Sequence, residues 1–389
     1  MRTPAAVVWA VWAVLALTGL AAGETLKVGP GQRFARPSAA IAAAGRGDVI
    51  EIAPGEYAND YAVIRADGLT LRGVGGAGKG ARPVLSSKGL IPNGKAIWVI
   101  AGRDTVVENV EFTGARVADR NGAGIRQEGR NLTLRGCKFA DCEDGLLTGA
   151  DPQSDILIEG CEFAHDSLDG QSHNLYVGAI RKLTFQFNYT HHAHVAHLLK
   201  SRARENHILY NRISDEADGS SSYQIDLPNG GKAYAVGNVI HQGPRASNSG
   251  MLSYGAEGMK YDANELYVIN NTFINDLGKG TFLQVSPRGK ADVPVVAANN
   301  IFLGAGVVCS YPQAAMKNNV TADPKFVNRA TWDLRVAAGS PCLNAGTLPG
   351  RSAAGVDLAP VFQYAHPCSS RKRTDMGKTV GAYEPAAAK

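Results

Sequence analysis

Residues 132–139 read LTLRGCKF, and the phrase returns as ILIEGCEF at 156–163 and LTFQFNYT at 183–190. It shortens to ILYNRI at 208–213, YAVGNVI at 234–240, VINNTF at 268–273 and AANNIF at 297–302. Each copy is an apolar alternation, then Asn or a small residue, then a large apolar side chain. The anchor position holds Cys137, Cys161, Asn188, Asn211, Asn238, Asn271 and Asn300. Three residues earlier stand Leu134, Ile158, Phe185, Ile208, Ala235, Val268 and Ala297. Successive anchors are about 23 to 33 residues apart, a solenoid period. Alternation with period two marks strands, and the Gly, Asn and Asp that cut every segment exclude helical repeats. One coil cannot bury its apolar face alone, but coils stacked about 4.8 Å apart build a continuous core. Asn suits the bend because it tolerates the left-handed backbone region, its amide bonds backbone, and stacked amides can bond one another.

A second ladder lies between the anchors: GLLTG, HNLYVG, HLLKSR, YQIDLP, GMLSYG and TFLQVS. Its alignment places Leu147, Leu175, Leu199, Ile225, Leu252 and Leu283 in one inward column. Neighbours along a strand face opposite ways, so the flanking residues point outward. One outward column then reads Thr148, Tyr176, Lys200, Asp226, Ser253 and Gln284, and the next reads Leu146, Asn174, Leu198, Gln224, Met251 and Phe282. His173, His197 and Tyr223 begin three successive strands.

These ladders predict an all-β chain, a single-stranded right-handed parallel β-helix with an N-terminal helical cap. The opening VGPGQRF...AAIAAAGRGDVIEIAPGEY and the closing ADPKFVN, WDLRV, GSPCLNAG and VGAYE resemble segments of the pectate-lyase-like β-helix superfamily. The resemblance covers the whole mature chain. It implies a helix over residues 37–44 that caps the open end, then a first strand over 49–52. Lyases, hydrolases, epimerases, esterases and adhesins share that architecture, so it specifies the chemistry weakly.

Arg2, the apolar run of residues 5–20 and the small Ala21-Ala22-Gly23 have the order of a secretory signal peptide. The expected organisation is a signal over 1–23, cap and first coils over 24–100, central coils over 101–322, and a final coil and tail over 323–389. The mature protein is expected in the periplasm or outside the cell, without membrane insertion. Of the 6 Cys, Cys137 and Cys161 fall in the core pattern as buried thiols, and a pair among Cys309, Cys342 and Cys368 stays open. Lys and Arg number 40 against 35 Asp and Glu, a net charge of +5. That excess suits an anionic ligand, and equally a solvated surface.

The outward face of the second ladder is polar, basic and aromatic. Aromatic rings stack on sugar faces, and Arg pairs with carboxylates through two parallel bonds. A uronide lyase needs a group that neutralises the carboxylate, a base for the C5 proton and an acid at the leaving oxygen. Lys200 is the expected base. Arg202, about 6.7 Å further along the strand, or a bound cation neutralises the charge, and Tyr176 or His173 is the acid. Asn174, His197, Tyr223, Gln224 and Asp226 are the expected substrate contacts. Arg202 favours the free Lys200 amine and Asp226 opposes it; pairing of Lys200 with Asp226 weakens the base reading and makes Lys200 a ligand contact or a structural ion pair. A glycoside hydrolase would use Asp226 with a loop carboxylate, Asp169 or Asp215. A non-catalytic envelope protein would keep the same residues as contacts.

His191, His192, His194 and His197 are dense, but the spacing matches no zinc motif and no nearby Cys or acid completes a shell. No metal ligand is therefore assigned. The turn of Asp215, Glu216 and Asp218 offers oxygen ligands to calcium, or is a solvent loop. The expected partner is an acidic polysaccharide rather than a nucleic acid, acted on by a monomer.

Overall fold

The computed structural model describes residues 23–75, 82–168, 170–287 and 292–386. Residues 1–22 of the expected signal segment, and the loop acid Asp169, lie outside the described residues. Each coil contributes one short strand to each of three sheets. The coil of Lys182–Gln186, Tyr189–His191 and Lys200–Ser201 is typical, and the next begins at Glu205–Leu209. The first sheet has 12 strands, from Thr25–Val28 to Ala315–Lys317. The second has 10, from Gly55–Ala58 to Ile301–Gly304, and the third has 10, from Ala62–Ile64 to Val307–Cys309. Every pairing within these three sheets is parallel: Lys182 pairs with Asp155, Tyr189 with Glu162, and Lys200 with Tyr176. The result is an all-β parallel solenoid of about 10 turns, with the right hand that parallel crossovers adopt.

The anchors stack as the repeat implies. Asn188 Nδ2 donates to Asn211 Oδ1 at 3.1 Å, Asn211 to Asn238 at 2.9 Å, Asn238 to Asn271 at 2.9 Å and Asn271 to Asn300 at 3.0 Å. Asn319, outside the repeat phrases, extends the ladder by accepting from Asn300 at 2.9 Å. Each Oδ1 also takes the backbone N–H of the preceding anchor, so a turn that breaks the sheet leaves no buried donor orphaned. The left-handed residue is not the anchor but the one before it: Phe187, Tyr210, Gly237, Asn270 and Asn299 have φ between 52° and 68°. Inside the coils, Phe112, Phe139 and Phe163 stack at 5.2 and 4.8 Å, the spacing of the coils themselves.

Helix Pro37–Ala43 covers the open N-terminal end and buries Pro37, Ala40 and Ile41. Pro37 begins it, where a missing N–H costs nothing. The buried Asp60 carboxylate holds its start through Ser38 N at 2.9 Å and Arg36 Nε at 3.0 Å. A strand, Thr25–Val28, precedes the expected first strand and pairs with it. The tail adds two antiparallel hairpins, Phe326–Asn328 with Asp333–Val336 and Phe362–Ala365 with Ser369–Lys372. Leu334, Leu358 and Val380 pack on residues of the first two sheets, such as Val239, Tyr234 and Ile301.

One reading needs correction. The inward column is Leu146, Leu175, Leu199, Ile225, Leu252 and Leu283, because Leu146 pairs with Leu175 and Leu147 with Tyr176. Two adjacent leucines fit either face, and a one-residue slip exchanges the faces. Leu147 heads the outward column instead and packs with Ala96, Val99 and Ala123 under Tyr176. All six cysteines are free thiols in the structure, and Cys137, Cys142, Cys161 and Cys342 are buried.

Candidate functional site

The outward column of the third sheet runs Leu147, Tyr176, Lys200, Asp226, Ser253, Gln284. Lys200 thus has Tyr176 and Asp226 as direct neighbours on the adjacent coils. Its Nζ lies 5.6 Å from the Tyr176 ring centroid, 3.6 Å from Asp226 Oδ2 and 3.9 Å from Glu257 Oε1. Both contacts are ion pairs longer than a hydrogen bond, so Lys200 is paired with Asp226, the arrangement that weakens its reading as a base and favours a ligand contact or a structural ion pair. Arg202, two residues on, is held firmly. Its Nη1 and Nη2 grip Glu257 at 2.6 and 2.9 Å, Nη1 also donates to Asn229 Oδ1 at 2.7 Å, and Nε donates to the Tyr176 hydroxyl at 2.7 Å.

The strand starts form the expected aromatic stack. His173 and His197 lie parallel with centroids 4.7 Å apart, and Tyr223 follows at 5.2 Å. The His197 N–H donates to His173 Nδ1 at 3.3 Å, and the Tyr223 N–H to His197 Nδ1 at 3.2 Å. In the neutral rings the proton therefore sits on Nε2. Burial pushes His173 well below the usual imidazole range, with the charges of His197 and Lys200 adding to it. Burial and Lys200 bring His197 down to about 3. The same burial lifts the Asp226 carboxyl above its normal range against the pull of Lys200. The Arg202 hydrogen bonds hold Glu257 below its own. Two carboxyl groups beside one amine are thus pushed in opposite directions.

The structure brings together Tyr176, Lys200, Arg202, Asp226, His173, His197 and Tyr223. It does not bring Asn174 and Gln224 to the groove. Both are fully buried. Asn174 Nδ2 donates to Thr190 Oγ1 and His191 O at 3.0 and 2.9 Å, and Gln224 Nε2 to Asp215 Oδ2 and Ser221 Oγ at 3.0 Å. They precede the regular strands Leu175–Val177 and Ile225–Leu227, where alternation no longer decides the facing. Their companions Leu198, Met251 and Phe282 also join the core, Met251 and Phe282 from within the strands Gly250–Tyr254 and Thr281–Val285. Thr148 is also buried, its Oγ1 accepting from Gly178 N at 2.8 Å.

Sequence reasoning missed Glu257 and Asn229. Both lie in loops that follow third-sheet strands, 55 and 27 residues from Arg202, so no column contains them. A GAEG loop next to a polar column was the available signal. The acidic turn does not fit calcium. Asp215 is buried and accepts from Ser221 N, Gln224 Nε2 and Gly243 N, and Glu216 is bidentate on Arg212. The groove carboxylates fit it no better, since each already faces cationic side chains. No helix among the described residues is long and apolar enough to cross a membrane.

No protein-family model and no curated protein matches the sequence. Among solved structures, pectate lyase Pel9A aligns with a TM-score of 0.53 at 16% identity, over 95% of this chain and 98% of that one. A variant of the PL6 family alginate lyase AlyGC gives 0.41 at 13% identity, over 93% and 57%. Pectin methylesterase from Aspergillus niger gives 0.37 at 13%, over 78% and 87%. The chain shares the parallel β-helix fold of the pectate lyase; at this identity the likeness speaks for the fold alone.

Proposed function

We propose that the protein cleaves an acidic, uronate-containing polysaccharide by β-elimination at the outward face of the third sheet. The observation that carries this reading is the cluster of Lys200, Tyr176 and Arg202, a base, an acid and a cation within one strand spacing. The Lys200 amine takes the C5 proton. The C5–H electrons form the C4–C5 double bond, the C4–O4 bond breaks, and the Tyr176 hydroxyl protonates the leaving oxygen. That hydroxyl accepts from Arg202 Nε, which leaves its own proton free to donate. Glu257, whose side chain is 49% exposed, holds the place on Arg202 that a uronate carboxylate would take, and substrate displaces it. The buried His173 and His197 are neutral, so they suit positioning better than proton donation; with Tyr223 they present an aromatic ledge to the sugar faces. Such a polymer lies outside the cytoplasm, which fits the export expected from residues 1–23.

A glycoside hydrolase is the second reading. Its support is the pair Asp226 and Glu257, one carboxyl lifted by burial and the other lowered by Arg202. Such divergence separates a general acid from its partner base. Products decide between the two. A lyase makes a conjugated double bond that absorbs in the ultraviolet; a hydrolase makes new reducing ends without it; binding without either product refutes both.

A further inference from the structure

Two neighbouring coils bring three imidazoles together on the second sheet. His191 ends the strand Tyr189–His191 and His192 follows it, while His165 follows the strand Glu162–Ala164 of the coil before. His165 and His192 both have left-handed backbones, with φ of 55° and 53°, a conformation His adopts more readily than most residues. One nitrogen from each of the three rings lies within 4.8 Å of the others. His191 and His192 meet through their Nδ1 atoms at 2.5 Å. Their far nitrogens face carboxylates: His191 Nε2 is 3.3 Å from Glu162 Oε1, and His192 Nε2 is 3.1 Å from Asp218 Oδ1. The His165 ring lies against His192 with centroids 4.5 Å apart.

The ring protons do not suffice for these contacts. Two neutral imidazoles carry two ring protons, and the two carboxylate contacts plus the nitrogen–nitrogen contact need three. Protons on both Nε2 atoms satisfy the carboxylates and turn two bare lone pairs toward each other. A proton between the Nδ1 atoms sets a lone pair against a carboxylate. The first arrangement is the one found around metal ions, where a carboxylate takes the outer N–H and the inner lone pair is left for the ion.

We propose that His165, His191 and His192 bind a divalent transition ion of the zinc type, with Glu162 and Asp218 orienting the His191 and His192 rings. Imidazole nitrogen is a preferred ligand of such ions. Two nitrogens about 2.0–2.1 Å from a tetrahedral ion stand about 3.3 Å apart, so the His191–His192 pair opens by less than about 1 Å. His165 is exposed and His192 half-buried, which gives the rings room and leaves a fourth position to water. The site belongs to the second sheet, whereas the Lys200 cluster belongs to the third, so it stands independently of the proposed elimination. The sequence hid it because its ligands and their supports come from three successive coils.

The test uses the full chain, stripped with a chelator and titrated calorimetrically with zinc ion alone, then with cobalt ion to read visible absorption bands. One zinc per chain and tetrahedral cobalt bands are expected. His165→Ala, an exposed change, should weaken zinc binding at least about tenfold, and Asp218→Asn about ten- to hundredfold. His194→Ala should change nothing, since His194 is exposed with Nδ1 at the Leu168 carbonyl. Absence of zinc uptake, or unchanged uptake in His165→Ala, overturns the proposal. So does a strongly downfield ring-proton resonance that persists with zinc present, which would show a third proton shared between His191 and His192.

Discussion

Replacing Asn211 by Leu keeps the size of the side chain while removing its polar atoms. Asn211 makes four side-chain bonds: Oδ1 accepts from Asn188 N and Nδ2, and Nδ2 donates to Phe185 O and Asn238 Oδ1, all between 2.9 and 3.1 Å. Two of the partners keep other bonds. Asn188 Nδ2 still donates to Ile158 O, and Asn238 Oδ1 still accepts from Asn211 N. The Asn188 N–H loses its partner at a fully buried bend, and Phe185 O loses one of its own. Each such buried loss costs about 1–3 kcal/mol. The variant should therefore be about 2–5 kcal/mol less stable, with little contribution from a cavity because Leu fills the space. Urea unfolding followed by circular dichroism measures it as a lower midpoint. Asn238→Leu should cost a similar amount. The double variant should lose less than the sum, because the Asn211–Asn238 bond is lost only once. A destabilisation below about 0.5 kcal/mol, or strict additivity of the pair, would refute the view that the ladder satisfies the bends.

Three further outcomes test the site. Stability should fall as pH drops from about 6.5 to about 3, because the unfolded chain takes up protons at His173 and His197 that the native state refuses. Asp226 works the other way, since its lifted carboxyl binds a proton in the native state first; His197→Gln should flatten the decline seen in urea midpoints between about pH 4 and pH 7. Glu257→Gln should lower KM for the acidic polymer about two- to fivefold, the value of one partly exposed ion pair; a higher KM would mean that Glu257 positions Arg202 instead. Tyr176→Phe keeps the ring and removes the proton, so kcat should fall about 10²–10⁴-fold with KM little changed, and an equal effect on KM alone would restrict Tyr176 to sugar contact.

The architecture was legible because stacking demands repetition. Every coil must place an apolar side chain inward and satisfy a bend, which prints Leu175, Leu199 and Ile225, and Asn188 through Asn300, at matching points of the chain. The faces were legible where one polar side chain followed a single aliphatic one, as at Tyr176, Lys200 and Asp226. At Leu146–Leu147 two equal side chains hid the register, and at Asn174 and Gln224 the chain was still turning into its strand. The site was half legible: Tyr176, Lys200 and Asp226 share a column, but Glu257 reaches Arg202 from a loop that no alignment of strands contains. The imidazole group escaped for a related reason. Its carboxylates, Glu162 and Asp218, come from the coils before and after His191, so a search along the chain finds histidines without acids.

Incubation of the purified protein with alginate, pectate, glycosaminoglycans and bacterial exopolysaccharides, followed by ultraviolet absorbance, decides whether it is a lyase. One acidic polymer should yield absorbing, unsaturated products, and Lys200→Ala should abolish the signal while its circular dichroism stays that of the folded protein. Full activity of Lys200→Ala on that polymer, or new reducing ends without absorbance, would contradict the proposed elimination.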